Sequence, residues 1–534
     1  MSNISKQHIG KYTYLYESES YRDELGRPRN KKLRIGKLDL VTGEPVYLPE
    51  YIKRMAANGT PVIMNTVTTT TSTTANDDVI HVLDSIKDYG VFWFLKATAE
   101  KIGLWDIIQK TFPSIWQELF TLACYLIVAD KPVMYCDDWV SSNECLAVGS
   151  MSSQRISELL AGFGSTERYQ FYREWSGYIR EREYIALDIT SVSSYSTQIS
   201  ECEWGHNRDG ENLQQVNLCM LFGESSHLPV YQTEYSGSLS DVVTLENTMS
   251  EFCNLLAEPN ILIVMDKGFF SAKNIDMLLK KEIKFLLSVS FTSKFARQQV
   301  ASEAKDIDRI ANVIHTSSSP IRGIYKYRVW RKDVRLHTHV FFNPEKALKE
   351  RNQLFEHVSL LKDLAEKDPG NKKHAAQFKR FLNIRHSSNA DCGYTVNVND
   401  KAVAKSLETA GWFVFVSNDI VDTQKAYDIY RMKDVVEKGF WKYKNNLGLE
   451  RMRVHSNTRM HNKSLVAFIA LILASHVHNV MKENKMYKSM TFDRLFITLA
   501  KIKSATVNGQ KFIRPLTKQQ REIFQTFKFP LPVV

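Results

Sequence analysis

The sequence has no Cys-x2-Cys pair. Its seven cysteines, Cys124, Cys136, Cys145, Cys202, Cys219, Cys253 and Cys392, are scattered and odd in number. That usage argues against a disulfide frame and a structural zinc site and suits a reducing compartment. Long apolar runs are missing as well. The longest, LVAFIALILA at 465–474, is half of what a bilayer crossing needs and reads as a buried helix, so no membrane partner is expected. No signal peptide opens the sequence, and a cytoplasmic location is the expectation. Acidic residues are in deficit: 59 Asp and Glu face 70 Lys and Arg, leaving a net charge of +11. This balance favours a polyanionic partner, most simply nucleic acid, although many basic proteins bind none.

What is present begins with size. A chain of 534 residues with 43% apolar content is globular and too long for one core. The stretch Tyr430 to Lys444 reads YRMKDVVEKGFWKYK. As one helix it places Tyr430, Lys433, Glu437 and Lys444 on a single stripe, with Val436 and Phe440 as anchors. A carboxylate flanked by ammonium groups and a phenol suits a site holding a cation and a phosphodiester together; a solvated, salt-bridged face is the plainer alternative. Upstream, two short apolar runs of strand type end in aspartate: YIALD closes at Asp188 and ILIVMD at Asp266. A carboxylate at the end of a buried strand often caps a turn. Two of them followed by a helical glutamate form an oxygen-rich set that Mg²⁺ favours.

In the order Asp188, Asp266, Glu437, with DKGF at 266–269 and a Y-x2-K-x3-E-x6-K string at 430–444, the chain resembles the DDE transposases of bacterial insertion sequences. The resemblance is to the branch carrying the YREK signature. It extends to DITS at 188–191, GHNRDGENLQQVNL at 205–218 and the opening ESYRDELGRPRNKKLRIGKLD at 19–39. One position departs from the pattern: Lys433 stands where the family has arginine, keeping the charge but losing the bidentate fork.

Taken in order, residues 1–64 are expected to form a β-rich domain that binds DNA ends. Tyr12, Tyr14 and Tyr16 alternate ahead of a turn at Asp23–Gly26, and RPRNKKLRIGK (27–37) carries six basic side chains. Those lysines equally suit an edge strand protected from aggregation. Residues 65–76, NTVTTTTSTTAN, read as a linker. Residues 77–182 are helical, with a capping-box pattern at Ser114 and Gln117 and with Arg155, Arg168, Arg173 and Arg180 as exposed cations. That region reads either as a DNA-binding unit or as a solvated bundle.

A catalytic core is expected to start at 183–291, as three antiparallel strands, a helix from an N-cap at Ser240, then strand, helix and strand. This is an α/β, ribonuclease-H-like order, a mixed sheet with helices on both faces, which sets Asp188 beside Asp266. The interval from Asp266 to Glu437 is more than twice that from Asp188 to Asp266, too long for a loop. It calls for an inserted α+β subdomain at 292–424 before the core resumes at 425–489. A basic tail, 490–534, is expected to touch DNA or another subunit.

The resemblance implies a phosphodiester hydrolysis and transesterification enzyme. Asp188, Asp266 and Glu437 would hold two Mg²⁺ ions, with Mn²⁺ as substitute, Asp188 bridging. Tyr430, Lys433 and Lys444 would meet the phosphate beside the cut, extended by Lys267 and Arg208, whose surface exposure explains them as well. Trp330 and Trp412 are candidates to stack on an extruded base, or simply fill the insertion's core. His206 and His461 lack the neighbours of a His-metal nuclease and read as hydrogen-bonding residues. The partners implied are double-stranded DNA, as transposon ends and target, and a second copy of the chain in a DNA-bound synaptic complex. A nuclease that cuts without joining, and a catalytically silent DNA-binding descendant, are the rival readings.

Overall fold

In the computed structural model the described residues are 3–9, 12–22, 28–38, 45–48, 51 and 83–533, apart from 130, 148, 180, 182, 240, 256–260, 317–319, 332, 333 and 387–392. The expected linker at 65–76, the turn at Asp23–Gly26, Arg180 and the cap at Ser240 lie outside them. The chain divides into two compact units, Met1–Ile80 and His81–Val534. The first contains a four-stranded antiparallel meander, β1 (Asn3–Ile9), β2 (Tyr12–Arg22), β3 (Pro28–Leu38) and β4 (Pro45–Tyr47). Its core is small: Leu15, Ile35 and Tyr51 are buried, flanked by Leu38 and Tyr47. The Arg34 guanidinium lies 4.3 Å over the Tyr14 ring, so one of the basic strand's cations is already committed to a neighbour.

The second unit opens with β5 (Leu83–Asp88) and six helices: α1 (Gly90–Lys101), α2 (Leu104–Thr111), α3 (Trp116–Val128), α4 (Cys136–Ser142), α5 (Ser153–Leu159) and α6 (Ser165–Ile179). The capping pattern at Ser114 and Gln117 is not used; α3 starts at Trp116 behind Ile115 with no side-chain cap. Two of the four expected cations are bound internally. Arg155 forks onto Glu118 at 2.8 and 2.6 Å, and Arg168 donates to the Asn462 side chain at 2.6 Å.

The core sheet follows: β6 (Tyr184–Ser193), β7 (Gln215–Gly223), β8 (Pro229–Ser236), α7 (Asp241–Leu255), β9 (Leu262–Met265), α8 (Ala272–Lys280) and β10 (Lys284–Ser288). Their spatial order, β10-β9-β6-β7-β8, is that of a ribonuclease-H-like sheet, with β6, β9 and β10 parallel and β6, β7 and β8 antiparallel. Every residue of β7 and β9 is buried; β9 reads as an unbroken apolar run, whereas β7 also buries Gln215 and Asn217.

The interval 292–424 supplies α9 (Lys294–Glu303), β11 (Val313–Ile314), β12 (Ile321–Arg331), β13 (Val334–Phe342), α10 (Pro344–Lys367), α11 (Ala375–Phe381), β14 (Leu382–His386), β15 (Tyr394–Val398), α12 (Asp400–Leu407) and β16 (Trp412–Ser417). Strands β16, β13, β12 and β11 extend the same sheet to nine strands, β16 joining β10 antiparallel. A separate core is confined to 344–407, around Leu361, Phe378, Phe381 and Val396. Then come α13 (Thr423–Met432), α14 (Asp434–Trp441) and α15 (Asn457–Glu483). Helix α15 is the one described helix long and apolar enough to cross a membrane, yet 83% of its apolar window is buried in the fold, against α1, α3 and β8.

The basic tail is structural. Helix α16 (Phe492–Leu499), strands β17 (Lys503–Val507) and β18 (Gln510–Ile513) and helix α17 (Lys518–Phe527) turn back to the start of this unit, β17 pairing with β5. Phe496, Phe524, Phe527 and Phe529 surround Phe94 of α1 with ring centres 4.7–6.2 Å away.

Candidate active site

Parallel pairing of β6 with β9 puts Leu187 opposite Met265, so Asp188 and Asp266 follow at the same level on neighbouring strands. Asp266 ends its strand as the spacing predicts. Asp188 does not: β6 runs on to Ser193, paired with β7, so its carboxylate projects from mid-strand and is 7% exposed. The third carboxylate comes from the signature segment, which is not one straight helix. Helix α13 stops at Met432, Lys433 links it to α14, and residues Lys442–Asn446 continue as a π-turn. Gly439 lets α14 settle on the sheet, since a Cβ there would lie 2.2 Å from the Phe222 ring.

The Lys433 ammonium stands between the three carboxylates, 3.4 Å from Asp188, 3.8 Å from Asp266 and 3.3 Å from Glu437. Burial opposes its charge, but Asp188, Asp266 and Glu437 together hold it above the ordinary lysine pKa. Burial likewise pushes the Asp188 carboxyl above the usual aspartate value, against the pull of Lys433 and of Arg208, whose guanidinium is 3.7 Å away. Tyr430 stacks on Phe415 at 4.1 Å and donates its hydroxyl to Asp266 at 2.9 Å. Burial and that carboxylate raise its phenol pKa, so it remains a donor.

Lys433 and Tyr430, expected against phosphate, are thus in contact with the carboxylates themselves. Lys444 lies apart, buried on the π-turn, with its ammonium 2.8 and 2.6 Å from the two Asp209 oxygens. Asp209 and Glu211 are the residues sequence reasoning passed over. Glu211 accepts from Ser193 at 2.7 Å and pairs with Arg451, tying the 205–214 loop to the end of β6. Their signal was the acidic pair inside GHNRDGEN, quoted for its resemblance and given no role.

Lys267 is exposed at the mouth of a groove of about 1540 Å³ that starts at Asp266 and Tyr430 and runs between the sheet and α10–α12. Arg297, Lys346, Arg380 and Lys405 line it, and Trp412 forms part of its wall, 9% exposed and packed on Phe342. Trp330 is wedged between Phe270 and Phe295, with its indole nitrogen buried and unpartnered. His461 bridges Glu201 at 3.0 Å and Glu234 at 2.8 Å; His206 is exposed.

Among the described residues no group of three His, Cys, Asp or Glu side chains already stands in metal-holding geometry. The point between the three carboxylates is filled by an ammonium, which shows that they share one cation. That donor set, oxygen only and anionic, fits a hard divalent ion.

The family model described as "Transposase DDE domain" matches residues 180–473, from just ahead of β6 to within α15. No curated protein matches the chain. Among solved structures it is similar to the piggyBac transposase in a synaptic complex with hairpin DNA, at 10% identity over 77% of this chain and 78% of that one, with a TM-score of 0.36. The family match covers more than half of the sequence and takes in all three carboxylates, and on that ground the chain belongs to the DDE-domain transposases.

Proposed function

We propose that this protein is an active cut-and-paste transposase of the YREK-signature branch from a bacterial insertion sequence. The observation that carries the proposal is the convergence of Asp188, Asp266 and Glu437 on one cationic atom, at the mouth of a cation-lined groove. Bound to these carboxylates, Mg²⁺ supplies activation of the attacking oxygen and stabilises the leaving 3′-oxygen. The chain's own residues do the positioning. Tyr430 orients Asp266 through its hydroxyl, and Arg208 brings positive charge to the rim of Asp188. Lys444, released from Asp209, and Lys267 at the groove mouth meet the phosphates flanking the cut. Arg297, Lys346, Arg380 and Lys405 carry the strand away along the groove, where Trp412 offers an aromatic wall. Residues 1–64 bind the terminal inverted repeats, and two copies of the chain assemble on paired ends.

The test is a cleavage and strand-transfer assay on duplexes bearing the element's ends, with Glu437→Gln beside the wild type. That variant keeps shape and loses charge, so it should bind ends and leave them uncut. Cleavage by Glu437→Gln at near wild-type rate would overturn the assignment. Cutting by the wild type without joining would instead favour the nuclease reading.

A further inference from the structure

The signature segment has a second functional face. At helical spacing Arg431, Val435, Lys438 and Lys442 point away from the stripe of Lys433 and Glu437. They border a partly open cavity of about 430 Å³ whose lining also includes His227, His478, Lys482 and two carboxylates, Asp434 and Glu483. Its charges do not balance: four cations, Arg431, Lys438, Lys442 and Lys482, face those two carboxylates. Lys438 pairs with Asp434, but among the described residues neither Lys442 nor Lys482 has a carboxylate within ion-pair distance. His227, from the turn between β7 and β8, has its Nδ1 buried without a hydrogen-bond partner.

The cost of this arrangement registers on the groups themselves. Burial, then Lys438 and Lys482, push the Lys442 ammonium down to about 7. Burial, then Lys442, Lys482 and Lys438, push His478 down to about 4. Cations that repel one another across a cavity are held stably when an anion sits among them. An oxyanion with several acceptor oxygens suits three ammonium groups, each a multiple donor.

We infer that this cavity is a phosphate-binding site, taking a phosphate group between Lys438, Lys442 and Lys482 on the side of α14 away from Glu437. The group comes either from the DNA backbone or from a free phosphate compound. Val435 and Lys438 of α14 border the cavity, so an occupant here touches the helix that holds the third carboxylate. The inference does not depend on strand transfer, because none of the three carboxylates takes part.

The experiment titrates the full-length chain with inorganic pyrophosphate by calorimetry, comparing wild type, Lys442→Met, Lys482→Gln and the Glu437→Gln variant. Pyrophosphate should bind wild type and Glu437→Gln alike and bind each lysine variant at least tenfold more weakly. Lys482 is exposed, so its variant stays informative if Lys442→Met folds poorly. A second arm measures duplex DNA affinity against salt. If the backbone supplies the group, pyrophosphate competes with DNA and the log–log salt slope falls by about 1 per lysine removed. If a free compound does, pyrophosphate binds without displacing DNA. Pyrophosphate binding that is absent in the wild type, or unchanged in both lysine variants, overturns the proposal.

Discussion

Replacing Lys433 by methionine removes the one ammonium that three carboxylates share. At an effective dielectric of about 20, an ammonium 3.4 Å from a carboxylate carries about 5 kcal/mol of raw attraction. That figure applies best to Asp188, whose side chain is 9% exposed; those of Asp266 and Glu437 are 35% and 63% exposed and are screened by water. Desolvation of the lysine offsets part of the gain, and removing one partner of a buried pair typically costs about 3–5 kcal/mol. Asp188 can soften the loss by taking up a proton, so Lys433→Met should lose about 3 kcal/mol of stability at neutral pH without metal. The assay is denaturant unfolding in chelator and again in Mg²⁺, with Mg²⁺ affinity measured by calorimetry. A divalent ion no longer competes with an ammonium, so Mg²⁺ should restore the stability and bind at least tenfold more tightly than to wild type. Lys433→Arg keeps the charge and should resemble wild type in chelator. Unchanged stability in chelator together with unchanged Mg²⁺ affinity for Lys433→Met would refute the shared-cation reasoning.

Other outcomes follow from single contacts. Gly439→Ala forces a methyl against the buried Phe222 ring, and the overpacking cost of about 1–3 kcal/mol should outweigh the helix-propensity gain of about 1 kcal/mol, read as a lowered unfolding midpoint. His461 is half-buried, which disfavours its charge, but Glu201 and Glu234 raise its pKa to about 9. Its stabilisation is therefore full below its unfolded pKa near 6.5 and lost as pH rises through about 9. The stability gap between wild type and His461→Ala should shrink across that window in pH-dependent denaturation. Lys444→Ala leaves Asp209 unpaired beside Arg208 and should weaken end binding in a gel shift, with added Mg²⁺ giving no rescue.

The parts of the site legible in the sequence are those set by local pattern. Apolar runs ending in Asp188 and Asp266 announced buried strands, and the strand-helix-strand order made the two neighbours. What escaped was decided at long range. The alternation of 324–342 fits a free-standing hairpin as well as an extension of an existing sheet, and only β16, seated between β13 and the edge of β10, makes it the latter. The tail's lysines spoke for a solvated partner surface, whereas the phenylalanines between them close the pocket around Phe94. Nothing in YRMKDVV, which has neither glycine nor proline, marks the turn at Lys433, where the backbone stays right-handed; the meeting of three carboxylates at its side chain is a property of the assembled sheet. Trp330 and Trp412 carried identical signals and took different places, one wedged between phenylalanines, the other on the groove wall.

The pairing of β17 with β5 has a consequence for biosynthesis. The second unit's opening strand waits for a partner made more than four hundred residues later, and Phe94 waits for rings up to Phe529. On the ribosome the helical layer around α1 therefore stays open while the sheet with its aspartates is already being synthesised. Its seal forms only once the segment through Phe529 has been made, so a nascent chain carries the carboxylates well before it has the scaffold that holds them steady.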